Sequence, residues 1–239
     1  MRRIFAIFII VAIPASLTLS SCNFNCRHGS GKLVTETRSV SDFTGVDISG
    51  GYKVIIKQDS VTSLKITADD NLIQSIKTDV SGSGKLKIHS PNICSSGQYV
   101  INISIKNLNY FRASGAIDLV SDGKITTKDL ELNLSGATKV NLDINADNVV
   151  TSGSGLTDMT LTGQAKSHSV DLSGSGTLNA LDFVVNKYSI RSSGASHCKI
   201  NVLNVLDVSS SGASDIEYRG NPSTVNNSKS GASSLQKIN

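Results

Sequence analysis

The chain has 239 residues, of which 38% are hydrophobic and 18% charged, and its formal net charge is +4. Its lysines and arginines form no basic stripe and are not interleaved with aromatic residues, which excludes a typical nucleic-acid-binding surface. The chain has no tryptophan and only four cysteines, so aromatic platforms for sugars and cysteine-rich metal sites are not expected either.

The N-terminus has the pattern of an export signal. Arg2 and Arg3 precede an apolar stretch, residues 4–19, which is too short for a membrane-spanning helix and is typical of a secretory signal peptide. It ends in Leu19-Ser20-Ser21-Cys22, which resembles the bacterial lipobox, and this resemblance implies lipidation of Cys22. We therefore expect a signal peptide (1–21), a lipidated flexible tether (22–32) and attachment to the outer membrane through the lipid. No acidic run follows Cys22, so a periplasmic and a surface orientation both stay open.

Residues 33–108 show short β-strands with one helical segment. Tyr52, Val54 and Ile56 alternate with polar residues, and so do Leu64 and Ile66 after a short turn, which predicts a hairpin. Leu72, Ile73 and Ile76 have helical spacing behind Asp69 and Asp70, which predicts one short capped helix. Further alternation predicts strands at residues 86–88 and 99–105. We expect this part to cap the repeats that follow.

Residues 109–239 contain a repeat in which Ser-Gly precedes a small residue. Its glycines are Gly115, Gly136, Gly153, Gly174, Gly194, Gly212 and Gly231, with a period near twenty. Apolar residues alternate with polar ones around each glycine and share its parity, so β-strands with the glycine on the buried face are predicted. No helical pattern separates the copies. We therefore predict an all-β chain whose main part is a right-handed parallel β-helix, a single-stack β-solenoid with coils of about 20 residues, continuous with the N-terminal part as one domain.

Stacking of these coils places small residues in two outward columns. The serine column is predicted to contain Ser114, Ser135, Ser152, Ser173, Ser193, Ser211 and Ser230. The second column is predicted to contain Ala116, Ala137, Ser154, Ser175, Ala195, Ala213 and Ala232. Together they make a smooth, weakly polar stripe. The stripe is either scaffolding, in which hydroxyls satisfy one another at a tight corner, or a flat docking surface for a glycan, a protein or a second copy.

Three segments resemble one bacterial family. They are residues 43–50 (Phe-Thr-Gly-Val-Asp-Ile-Ser-Gly), residues 66–72 (Ile-Thr-Ala-Asp-Asp-Asn-Leu) and the Ser-Gly copies, in this order. The chain in this respect resembles the family called putative auto-transporter adhesin, head GIN domain, over roughly residues 33–239. The resemblance implies an exported β-helical domain, often on a lipoprotein, and it supplies no catalytic motif.

The remaining reactive side chains give no catalytic or metal site. His197 and Cys198 are neighbours on a predicted strand and point to opposite faces, so they cannot bind one metal together. Cys198 shares the column of apolar residues and is predicted to be a buried, inert thiol. Cys26 and Cys94 are a possible disulfide in an oxidising compartment. We expect no cofactor, no metal and no catalytic residue.

These observations favour a lipid-anchored binding module of the cell envelope without catalysis, which acts as an adhesin or binds a glycan or protein. One alternative is a structural envelope lipoprotein that associates with copies of itself through an open sheet edge. A second alternative is a carbohydrate-active enzyme of the polysaccharide lyase kind, although no column of the repeat carries a series of acidic residues.

Overall fold

A computed structural model of the chain describes residues 26–90, 93 and 99–239. Within these residues the chain is built from β-strands and one single-turn 3-10 helix. The strands are β1 (Leu33–Arg38), β2 (Gly45–Gln58), β3 (Ser63–Asp69), β4 (Lys77–Val80), β5 (Lys85–His89), β6 (Tyr99–Ile105), β7 (Tyr110–Arg219), β8 (Thr224–Gly231) and β9 (Ser234–Lys237). The predicted signal peptide, Cys22 and Cys94 lie outside the described residues.

The prediction of an all-β chain is confirmed, but the prediction of a right-handed parallel β-helix is wrong. The strands form one mixed sheet that curls into a half-barrel, with the order β1-β3-β6-β2-β5-β4 and with β7 pairing β2, β8 and β9. β1 pairs β3, β3 pairs β6 and β4 pairs β5 in antiparallel fashion. The β4–β5 connection is a tight turn closed by two backbone hydrogen bonds, from the Ser81 N–H to the Lys85 carbonyl and from the Gly84 N–H to the Ser81 carbonyl. A connection this short permits only an antiparallel pair, since parallel strands need a long crossover.

Strand β2 is the centre of the sheet and has parallel neighbours on both edges. Its first part pairs β5 and its second part pairs β6, while residues 45–56 pair residues 110–121 of β7 on the other edge. The predicted hairpin between β2 and β3 does not form, because β6 lies between them. The alternation of residue types located both strands, but it contains no information about their partners.

The predicted capped helix is shorter than expected. A 3-10 turn covers Ile73–Ser75, its N-cap is Leu72, and no side chain caps it. Asp69, one of the two residues predicted to cap the helix, has other contacts. Asp69 is buried and accepts hydrogen bonds from the Tyr99 hydroxyl (2.6 Å) and the Gly31 backbone N–H (2.9 Å). The end of the segment predicted as a tether is therefore bonded to the sheet.

The long strand β7 carries the repeat, and each copy lies against the preceding one. Where the repeat turns a corner, a glycine with positive φ contacts the backbone of the previous corner glycine. One apolar core runs under the sheet from Phe43 to Ile216. At the last copy, β8 pairs β7 in parallel and is exposed along its whole length. Its Asn227 and Lys229 align with the buried Val208 and Ser210, so polar residues cover this end of the core.

Candidate functional site

The corner glycines lie at the surface, which corrects the prediction that they face the core. Gly115, Gly136 and Gly174 share parity with buried residues, yet each is exposed and has a φ between +90° and +120°. At such a φ the strand bends, and three consecutive residues face solvent instead of alternating. A Cβ on Gly136 would lie 2.6 Å from the Gly115 carbonyl oxygen, so only glycine fits the stacked corner.

In one copy the corner is two residues later than predicted. Gly155, with φ +86°, contacts the backbone of Gly136, and Gly174 in turn contacts Gly155. Gly153 is buried, and a Cβ there would meet the Leu172 side chain instead. The seven corner triplets of β7 and β8 are therefore residues 114–116, 135–137, 154–156, 173–175, 193–195, 211–213 and 230–232. We call this surface the serine ridge.

The serine ridge contains most of the predicted stripe residues. Ser114, Ser135, Ser173, Ser193, Ser211 and Ser230 lie in its first column, and Ser154 takes the place predicted for Ser152. Ala116, Ala137, Ala195, Ala213 and Ala232 lie in its third column together with Ser175 and Leu156. Two of the hydroxyls have a structural role, since Ser135 donates to the Ala113 carbonyl (3.2 Å) and Ser173 to that of Gly153 (3.5 Å). Within the described residues, Ser154, Ser193 and Ser211 have no protein partner for their hydroxyls.

Small polar residues also lie directly beneath the ridge. Ser192, Ser196 and Ser214 are buried, and the Ser192 hydroxyl lies 2.8 Å from each of the other two. Thr138 and Thr157 occupy the corresponding buried positions of earlier copies. Other copies place larger apolar side chains at these positions, Ile117 and Leu172 among them, so the buried polar layer is confined to part of the ridge.

A polar groove runs beside the serine ridge, three residues before each corner glycine. Its residues are Arg112, Asn133, Ser152, Asp171, Arg191, Ser209 and Ser228. Three open cavities of about 410, 340 and 470 Å³ line up along it. Asp171 belongs to the first two and Arg191 to the last two, so neighbouring cavities adjoin one another. Serines of the ridge, including Ser135, Ser173 and Ser211, line one side of the groove.

The charges of the groove are available to a ligand. Arg112, Asp171 and Arg191 are exposed, and within the described part of the chain none of them forms an ion pair. Tyr110 lines the first cavity, but the Lys85 ammonium lies 3.5 Å from its ring centroid. The Tyr110 ring face is therefore occupied by a cation. The groove offers hydroxyl, amide, guanidinium and carboxylate groups rather than aromatic surface.

Sequence reasoning missed this groove. Only Ser152 was singled out, and for the wrong column. The other groove residues could have been found by reading the residue three positions before each corner glycine, after the corner of the third copy had been placed at Gly155.

The buried histidine of β7 belongs to the core and not to the groove. His168 lies 2.9 Å from the Thr151 hydroxyl through Nε2 and 2.9 Å from the Tyr188 hydroxyl through Nδ1. Burial lowers the pKa of His168 from 6.5 to about 3, so the imidazole is neutral at neutral pH. All three side chains are buried. They satisfy one another inside the sheet and offer no group to a substrate.

The cysteines divide into a core thiol and a disulfide. Cys198 is free and fully buried, and burial raises the pKa of its thiol to about 12, so it is a poor nucleophile. Its neighbour His197 faces outward, with Nδ1 3.3 Å from Asp215 Oδ2. Cys26 is disulfide-bonded. Since Cys198 is free, the sequence leaves Cys22 and Cys94 as candidate partners, and both lie outside the described residues.

The repeat, the corner glycines and the mixed sheet agree with one known family. The putative auto-transporter adhesin, head GIN domain family matches residues 42–222. The chain belongs to this family. Its adhesin description indicates an envelope or surface protein that binds some ligand, and it suggests a function other than catalysis. Within the described residues, no helix has the length and apolar character needed to cross a membrane.

Solved structures share the fold of this family member. A putative adhesin from Bacteroides fragilis is 21% identical with a TM-score of 0.82, covering 89% of this chain and 100% of that one. A putative lipid binding protein from Parabacteroides distasonis is 22% identical with a TM-score of 0.67, covering 89% and 99%. A putative adhesin from Parabacteroides merdae is 17% identical with a TM-score of 0.66, covering 89% and 99%. No curated protein matches the chain significantly.

Proposed function

We propose that the chain is an exported, lipid-anchored adhesin module that binds an extended glycan in the polar groove beside the serine ridge. The observation that carries this proposal is a row of three adjoining open cavities along one wall, lined by serines and by the charged side chains of Arg112, Asp171 and Arg191. An open groove of this kind suits a polymer, because a polymer can lie along several repeat copies at once.

The chemistry of the groove supports a sugar ligand. Serine hydroxyls and asparagine amides both donate and accept hydrogen bonds, as sugar hydroxyls do. Arg112, Asp171 and Arg191 add charge-assisted hydrogen bonds of alternating sign along the groove. Polar atoms make up the larger part of the lining of each cavity, so the groove suits a sugar polymer better than a lipid tail or an amphipathic helix.

Export and anchoring are supported by the cysteines and the family. The lipobox-like residues 19–22 provide a lipidation site, and two or three acyl chains on Cys22 would hold the protein on a membrane. A disulfide at Cys26 fits an oxidising compartment, since such bonds persist mainly outside the cytoplasm. The family description as an adhesin agrees with display on the envelope.

Self-association through the open end of the sheet is less favoured. Strand β8 presents an exposed edge, but Asn227 and Lys229 replace the buried residues of the preceding copy there. Stacking a second copy on this end would bury the Lys229 ammonium, which is costly without a partner charge. Light scattering of the full chain in detergent should therefore give a protein mass of one chain per micelle at high concentration, and a stable dimer would support the alternative.

Glycan binding is tested by a glycan array probed with the fluorescently labelled full chain in mild detergent. We expect the wild type to bind a subset of glycans, and both Arg191→Ala and Asp171→Ala to weaken that binding by at least tenfold. Ala195→Trp on the ridge should block it sterically. Lys128→Ala, an exposed substitution away from the groove, is the matched control and should bind as the wild type does. The absence of any glycan ligand, or equal binding by all variants, would contradict the proposal.

A further inference from the structure

Three metal-ligating side chains come together on the wall that follows the serine ridge, opposite the groove. They are His197, Asp215 and Glu217, and their ligand atoms all lie within 4.8 Å of one another. His197 and Asp215 are three residues after the corner glycine in consecutive copies, and Glu217 is five residues after it. Parallel pairing of these copies puts all three side chains on one outward face.

We propose that His197, Asp215 and Glu217 bind one divalent cation of the zinc class. One imidazole nitrogen and two carboxylates are a donor set suited to first-row transition ions, whereas Mg²⁺ and Ca²⁺ are bound mainly by oxygen ligands. Two carboxylates beside a neutral imidazole also balance the charge of a divalent ion. Three protein ligands leave a fourth position for water or for an acidic group of a bound molecule.

The observed distances are compatible with coordination after a small side-chain movement. Zinc bonds of about 2.0–2.2 Å place tetrahedral ligand atoms about 3.3–3.6 Å apart. His197 Nδ1 and Asp215 Oδ2 are already 3.3 Å apart, and all ligand atoms of the cluster lie within 4.8 Å of one another. The side chains of His197 and Asp215 are 40% and 50% exposed, so they have room to close this gap.

Two neighbouring groups contact the carboxylates of the cluster. The Lys199 ammonium lies 3.1 Å from Glu217 Oε2, and the Ser234 hydroxyl donates to Asp215 Oδ1. The lysine occupies a carboxylate that a metal would need. Lys199 is therefore a competitor of the cation, and its removal should strengthen metal binding. If the Lys199–Glu217 contact were only a surface ion pair beside no metal site, its removal would not change the affinity for a metal.

The cluster is local to one pair of copies. The position of Asp215 is taken by Asp118, Lys139, Asp158 and Thr177 in earlier copies. His197 is the first histidine in this column, so no earlier pair of copies places a histidine beside a carboxylate here. Asp158 offers a matched control, because it is a carboxylate at the same position in another copy.

Isothermal titration with ZnCl₂ tests this proposal on the full chain, purified in mild detergent through a tag without histidines. We expect one saturable zinc site in the wild type. His197→Ala and Glu217→Gln should each lower its affinity at least tenfold, Lys199→Met should raise it at least threefold, and Asp158→Asn should leave it unchanged. Far-UV circular dichroism checks the fold of each variant, and His197→Gln replaces His197→Ala if the alanine variant alters that spectrum.

A second readout localises the ion. On addition of zinc, the imidazole NMR signals of His197 should shift while those of the exposed His89 stay in place. A wild type without saturable zinc binding would overturn the proposal. It would also be overturned if Lys199→Met weakened binding, or if His197→Ala and Asp158→Asn behaved alike. The titration contains no glycan, so its result is independent of the proposed adhesin function.

Discussion

Substitution of a corner glycine by alanine should be much more costly than substitution of a glycine that has the same backbone conformation but no stacked neighbour. Gly136 and Gly123 provide this comparison, since their φ angles are +90° and +88°. A Cβ on Gly136 would lie 2.6 Å from the carbonyl oxygen and 2.9 Å from the nitrogen of Gly115, whereas a Cβ on Gly123 would have nothing within 4 Å. The pair therefore separates left-handed backbone strain from close packing of the backbones.

The magnitudes follow from these two terms. A non-glycine residue in the left-handed region costs about 1–2 kcal/mol, and this is the whole cost expected for Gly123→Ala. Gly136→Ala adds displacement of a packed backbone, for which overpacking costs of about 1–3 kcal/mol are typical. Gly136→Ala should accordingly lower the free energy of unfolding by about 2–5 kcal/mol. Gly51 is a neutral reference, because its φ is not positive and a Cβ added there would have nothing within 4 Å.

Guanidinium unfolding of the full chain, followed by far-UV circular dichroism, measures these differences. Gly51→Ala should be about as stable as the wild type, Gly123→Ala less stable, and Gly136→Ala the least stable of the three variants. If Gly123→Ala and Gly136→Ala lost the same free energy, the stacked corner would carry no cost of its own, and the reasoning behind the serine ridge would be refuted.

Three further predictions concern the corner position, the buried histidine and the disulfide. Gly155→Ala should be more destabilising than Gly153→Ala by at least 1 kcal/mol or so, because the first meets the Gly136 backbone and the second a movable leucine side chain; the reverse order in the same unfolding assay would favour the predicted position. Because the pKa of His168 is lowered to about 3, the unfolded chain takes up this proton first as the pH falls below about 6.5. Protonation of this group should therefore lower the free energy of unfolding by about 1.4 kcal/mol per pH unit between about pH 6.5 and pH 3. The His168→Gln variant should lack this contribution, and parallel curves of unfolding free energy against pH for the variant and the wild type would contradict it. Cys94→Ser should leave a free Cys26 thiol in non-reducing peptide mapping and lower stability by about 4 kcal/mol, whereas a Cys26 that stays bonded would point to Cys22.

The strands were predictable because they depend on local alternation. Val54, Ile66 and Ile101 were placed in strands from their polar neighbours, and each is buried in β2, β3 or β6. Their pairing was not predictable in the same way. β6 inserts between β2 and β3, and nothing in the alternation of either strand distinguishes a hairpin partner from a strand that returns later in the chain.

The corner error has a local cause. Residues 152–155 read Ser-Gly-Ser-Gly, so two glycines in succession match the repeat, and a pattern alone cannot choose between them. The choice is made by contacts between copies, since only Gly155 has the positive φ and the backbone contact with Gly136. The polar groove was missed for the same reason, because its column can be read only after every corner is in register.

The metal cluster was missed for a different reason. His197 and Asp215 lie in one outward column and Glu217 in the next, whereas in the sequence the histidine was compared directly only with its neighbour Cys198. A search across adjacent columns of consecutive copies would have found all three residues.

Labelling of intact cells tests the central claim, display of the polar groove on the outside of the cell, most directly. An impermeant amine-reactive reagent is applied to bacterial cells that produce the full chain, and labelled lysines are mapped by mass spectrometry. Lys229 lines the groove and Lys128 lies exposed elsewhere on β7. The adhesin account predicts that both are labelled on intact cells. Labelling of these lysines only after the outer membrane has been permeabilised would contradict it.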